Sequence, residues 1–138
     1  MIESTAPPTI LAIDDDLGLL MCLGLVLTEA GLQVVPSVST EEALALAEEL
    51  NLHPDLLVAN AELLRDQPAL DGIISRSRQP GRAVAIVSAG ETAAPRLPAG
   101  LVGAGLLQRP LDPAAPPREE WLGVVRRALA GSHTGEAA

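Results

Sequence analysis

Five times along this chain a short apolar run stops abruptly at polar or turn-forming residues, and segments of helical length fill the gaps. The clearest run is Thr9–Ile13, which gives way at once to Asp14-Asp15-Asp16. Similar runs stand at residues 32–35, 55–59, 83–87 and 105–108. A strand apolar on both faces belongs in the middle of a covered sheet, and a sheet covered on both faces is parallel. The alternation therefore predicts an α/β, doubly wound, five-stranded parallel sheet with about five helices.

The helices have their own punctuation. Residues 17–30 carry helical composition and end at Gly31, the place of a left-handed cap. Ser39 or Thr40 caps a helix over 41–52, whose Glu41 and Glu42 suit its positive end, and Pro54 closes it. Residues 60–68 read as irregular, 71–78 as a helix stopped by Pro80-Gly81. Pro95, Pro98 and Gly100 leave room for only a short or distorted fourth helix. Pro116-Pro117 opens a last helix over 118–130. The expected organisation is an N-terminal extension (1–8), one domain (9–131) and a small polar tail from 132 to 138.

Composition excludes whole classes of function. Of 138 residues 48% are apolar, yet Trp121 is the sole aromatic ring, so the core is aliphatic and stacking platforms for single-stranded nucleic acid or sugars are lacking. The net charge is −9, with no lysine and no basic stretch, which argues against nucleic-acid binding. Cys22 is alone, so an internal disulfide is ruled out; inside an apolar segment it reads as a buried thiol. The start Met1-Ile2-Glu3-Ser4 lacks a secretory signal, and the longest apolar stretch, 17–27, is shorter than the ~20 residues of a membrane span. The expected location is the cytoplasm, without membrane attachment.

In open parallel sheets, functional groups gather beyond the carboxyl ends of the strands. Here those ends hold Asp14, Asp15 and Asp16 after the first strand, Asn60 after the third, Ser88 after the fourth and Arg109 after the fifth. In order and spacing this set resembles the receiver domain of two-component response regulators, the CheY-like family, over roughly residues 10–130. The resemblance implies a flavodoxin-like fold. It also implies that Asp14 and Asp15 stand where the family holds Mg²⁺, and that Ser88-Ala89 matches the pair contacting a phosphoryl group. Arg109-Pro110 falls at the family's Lys-Pro. Asn60 occupies the place of the aspartate that accepts a phosphoryl group from a histidine kinase.

The departures from that pattern carry most of the information. A carboxylate oxygen is the nucleophile of aspartyl phosphorylation, and an asparagine amide is a poor substitute and a neutral metal ligand. Arg109 keeps a cation but is planar and fork-shaped. The loop after Asn60 is longer than in the family: Leu64 stands at the spacing of its proline, and Pro68-Ala69-Leu70-Asp71-Gly72 comes four residues late. Leu106 falls at the aromatic switch position and supplies no ring. The expectation is an atypical stand-alone receiver, not an enzyme. Its degenerate site is Asn60, Ser88 and Arg109, with no cofactor or at most residual Mg²⁺ at Asp14 and Asp15, and it acts by phosphorylation-independent protein–protein interaction. Asp14–Asp16 also reads as a helix cap, and Arg109 as an ion pair to Asp14 or Asp15. The alternatives are a receiver phosphorylated at Asp16 or Asp66, or a small-molecule module reusing the crevice.

The partners implied are a histidine kinase, a histidine phosphotransferase, another receiver or a second copy of the chain. The helix at 17–30 is apolar nearly all round, which fits deep burial and a docking face equally. Leu19, Met21, Leu23, Val26 and Trp121 are the candidate interface residues. Trp121 also fits a stripe, with Val124, Val125 and Leu129, packed on the sheet.

Overall fold

The structure, a computed structural model, describes residues 6–78, 81–112 and 114–137, with side chains as far as Gly131. Met1–Ser4, Pro80 and the His133 side chain lie outside the described residues. Five strands, β1 (Thr9–Ile13), β2 (Gln33–Ser37), β3 (Leu56–Ala59), β4 (Arg82–Val87) and β5 (Val102–Gln108), form one parallel sheet in the order β2-β1-β3-β4-β5. Among the described residues four helices accompany it: α1 (Leu17–Glu29), α2 (Thr40–Glu49), α3 (Gln67–Arg76) and α4 (Arg118–Ala137). A single 3-10 turn, Ala61–Leu63, interrupts the β3–α3 connection. The strand order reverses between β1 and β3, and crevices open at such a reversal.

Alternation along the strands sorts the core into two layers. Ile10 and Ala12 of β1, Leu56 and Val58 of β3, and Val84 and Ile86 of β4 face α1 and α4. Leu11 and Ile13, Leu57 and Ala59, and Ala83 face α2 and α3. Because both faces are covered, every residue of β3 is buried. The caps of α1 and α2 are those the sequence predicts. Ser39 Oγ accepts the Glu42 N–H, Glu42 Oε1 accepts the Val38 N–H, and Gly31 adopts φ +90° behind α1, where the Leu32 N–H returns to the Leu27 carbonyl. Gly81 is required for close approach: at φ +85°, an added Cβ would stand 2.5 Å from the Gly100 carbonyl oxygen.

Three expectations are corrected. No helix forms between β4 and β5; residues 88–101 run as a loop, because prolines at 95 and 98 remove backbone donors and Gly90 and Gly100 turn the chain at positive φ. The last helix does not stop at Ala130 but runs Arg118–Ala137. Trp121 is 1% exposed: it fills the core between α4 and the sheet, with its indole N–H donating to the Gln108 carbonyl at 3.0 Å, and presents no partner surface.

Candidate functional site

Each candidate residue sits one step beyond its strand because the sheet's hydrogen bonding runs that far. The Asp14 N–H donates to the Ser37 carbonyl, Asn60 N–H to Ile13 and Arg109 N–H to Val87. These bonds carry Asp14, Asn60 and Arg109 to the carboxyl edge around the order reversal, with Ser88 following β4 beside them. The topology thus brings together what is scattered over the sequence.

Asp14 is withdrawn from solvent entirely (0% exposed). One carboxylate oxygen accepts the Asp16 N–H at 2.8 Å; the other accepts from the Arg109 guanidinium at 2.7 Å. The second arm of the same fork reaches Asp16 at 3.4 Å. Burial pushes the Asp14 carboxyl above its ordinary value, against the opposing pull of the Asp16 N–H and of Arg109, while the Asp15 charge adds a smaller upward push. Asp16 also caps α1, accepting the Leu19 N–H at 3.1 Å. Asp15 turns outward and is exposed. Of the two alternatives expected for the Arg109 ion pair, Asp14 or Asp15, the pair with Asp14 forms. A second contact, to Asp16, lies outside that expectation; the capping turn points that aspartate back over the helix end.

Asn60 lines a cleft of about 300 Å³ with Glu62, Ser88, Glu91, Pro95 and Arg109. Its Oδ1 accepts the Glu62 N–H at 3.1 Å, so the side chain is turned into its own loop. Ser88 is exposed at the rim. Two glutamates therefore border the place beside Asn60, with Arg109 as the one guanidinium lining this cleft. Leu106 is half-buried and lines two further clefts, one beside Trp121 and one under Leu97 and Leu101. Sequence reasoning missed Gln108, whose side chain accepts the Gly90 N–H at 3.3 Å and donates to the Glu91 carbonyl at 2.7 Å. That clasp ties the β4 loop to the end of β5. Nothing in the pattern marks it, since a strand-end glutamine is ordinary in a solvated position. Asp66, an alternative acceptor, caps α3 by accepting the Ala69 N–H at 3.1 Å.

The partner face on α1 is also corrected. Leu19, Leu23 and Val26 are buried against the sheet, and Cys22 packs half-buried beside them. Of the α1 residues named, Met21 alone faces out, at 69% exposure, joined by Leu17 and Leu25 one turn away on either side. Val38 extends this apolar stripe, and a cleft of about 370 Å³ lies between Leu17, Met21, Pro36 and Val38. Among the described residues no helix is long and apolar enough to cross a membrane.

The fold has counterparts among solved structures. A response regulator from Chloroflexus aurantiacus is 26% identical and superposes with a TM-score of 0.66, covering 90% of this chain and 98% of that one. The N-terminal domain of a response regulator/sensory box/GGDEF protein from Carboxydothermus hydrogenoformans is 18% identical with a TM-score of 0.67, covering 92% and 98%. The chemotaxis response regulator CheY4 of Vibrio cholerae is also 18% identical, with a TM-score of 0.61 over 88% and 98%. No protein-family model matches the sequence, and no curated protein matches it.

Proposed function

We propose, for a chain that has the receiver-domain fold of response regulators, that it acts in two-component signalling as an atypical receiver binding its partner without aspartyl phosphorylation. The carrying observation is the residue at the end of β3: Asn60, neutral, with its Oδ1 held by the Glu62 N–H. A phosphoryl group carries close to two negative charges, and beside Asn60 it would meet Glu62 and Glu91. Of the two alternative carboxylates, Asp16 has both oxygens engaged, by the Leu19 N–H and by Arg109, and Asp66 is committed to capping α3 through the Ala69 N–H. Regulation by phosphate is thereby replaced by a site held in one state. The docking face is the stripe Leu17, Met21, Leu25 and Val38, whose apolar exposure suits helices of a histidine kinase or phosphotransferase.

Acetyl phosphate with Mg²⁺, followed by intact-mass measurement, tests the first half. The expected result is a chain without added phosphoryl mass, for the wild type and for Asn60→Asp alike, because Arg109, Glu62 and Glu91 persist in the variant. Stable phosphorylation of the wild type at Asp16 or Asp66 would sink the reading. Met21→Glu tests the second half: it should abolish binding to a kinase or phosphotransferase partner while leaving the circular dichroism and melting temperature unchanged.

A further inference from the structure

The receiver resemblance implies a Mg²⁺ ion among the acids after β1, and the donor set here does not fit one. A divalent cation needs several oxygen ligands free to turn toward it, preferably anionic. Both oxygens of the buried Asp14 are already engaged, one by the Asp16 N–H and the other by Arg109. Asp16 shares its carboxylate between the α1 cap and the guanidinium. Asp15 faces outward, and Asn60 brings a neutral oxygen already engaged by Glu62. Among the described residues no three His, Cys, Asp or Glu side chains group as a metal site.

We infer that the Arg109 guanidinium is a resident cation standing in the divalent ion's place, so that this pocket excludes Mg²⁺ and related ions. The charge logic supports it. A buried carboxylate is costly unless paired, and the fork of arginine satisfies Asp14 and Asp16 together, which a point charge on a lysine stem does less well. Arg109 is half-buried and lies between the cleft holding Asn60 and a second one lined by Asp16, Gly18, Leu19 and Cys22. Its guanidinium thus meets an approaching cation from either side with like charge. The same residue closes the β5 end onto the β1 end without an ion. This inference rests on the fold and the Arg109 contacts, and it does not depend on whether any residue is phosphorylated.

Titration with Mn²⁺ alone, followed by electron paramagnetic resonance on the intact chain, decides it. The wild type should bind no Mn²⁺ at the site, while Arg109→Gln should bind at least about tenfold more tightly, like charge having been removed at contact distance. The gain should vanish in the double variant Asp14→Asn/Arg109→Gln. Wild-type binding abolished by Asp14→Asn overturns the inference. So does a folded Arg109→Gln, checked by circular dichroism, that binds no better than wild type. Arg109→Met is the second variant should the first fail to fold, with the same expected gain. Because the readout is bound Mn²⁺ and not phosphoryl mass, its failure is distinguishable from failure of the phosphorylation-independent reading.

Discussion

The two faces of the sheet are built to different standards. On one, α1 and α4 close over β1, β3, β4 and β5, with Trp121, Leu23, Leu27 and Val125 fully buried between them. On the other, α2 and α3 seal β1, β3 and Ala83 at the start of β4, but among the described residues no helix lies over the rest of β4 and β5. There Leu97 and Leu101 from the loop leave a cleft of about 390 Å³ over Gly103, Gly105 and Leu106. The first face is packed around Trp121, Leu23, Leu27 and Val125, with a cleft open at its edge between Leu106, Trp121 and Val124. The second is held at this end by a loop, by the Gln108 clasp and by the close pass of Gly81 under Gly100. The α1–α4 side is the more fully covered, and the Asn60 cleft opens beside the loop that follows β4.

The comparison can be broken by mutation, beginning with the largest effect. Trp121→Ala removes the central side chain of the packed face and an indole hydrogen bond, and should cost about 3–5 kcal/mol in urea unfolding. Gly81→Ala, forced against a backbone oxygen at positive φ, should cost roughly 1–3 kcal/mol and loosen the β4–β5 end. Leu97→Ala, half-buried on the loop side, should cost about 1 kcal/mol or less. A loss at Leu97 rivalling that at Trp121 would erase the distinction between the faces. Amide hydrogen exchange sharpens it without mutation: residues 88–101 should exchange through local opening, and α1 and the buried β-strands only near global unfolding.

The subtlest test is a slope. The Asp14 carboxyl lies above its ordinary value of 3.8 in the folded chain, so the folded state binds that proton more tightly than the unfolded one. Its contribution is fully present below 3.8 and is lost as pH rises through the folded-state value. Asparagine cannot titrate. The stability of the wild type relative to Asp14→Asn should therefore fall with rising pH across that window, measured by urea unfolding at a series of pH values. A rising difference would mean that Arg109 outweighs burial.

Much of the fold is legible in the sequence, because buried parallel strands are short, apolar and sharply ended. Thr9–Ile13 reads directly as β1, and the aspartate run beyond it as the start of the site. The fourth helix is half legible: the prolines announce trouble, while its complete absence depends on whether loop contacts at Leu97 and Leu101 suffice to cover the strands. The α1 stripe is not legible at all. With Leu17, Leu19, Leu20, Met21, Leu23, Leu25 and Val26 apolar around the helix, periodicity marks no inner side. The sheet decides, burying Leu19, Leu23 and Val26 and leaving Leu17, Met21 and Leu25 outside. Trp121 is ambiguous in sequence for a different reason, since a ring near a helix start serves a core or an interface equally.

By itself, then, the sequence determined the α/β alternation and the acids and the amide at the strand ends, because these depend on residue type and local spacing. Which aspartate Arg109 grips, whether Asp14 is buried, and which face of α1 remains open were decided only by the tertiary structure. Those outcomes depend on directions in space: the capping turn that aims Asp16, the ladder that carries Arg109 to the edge, and the sheet against which one side of a uniformly apolar helix must lie.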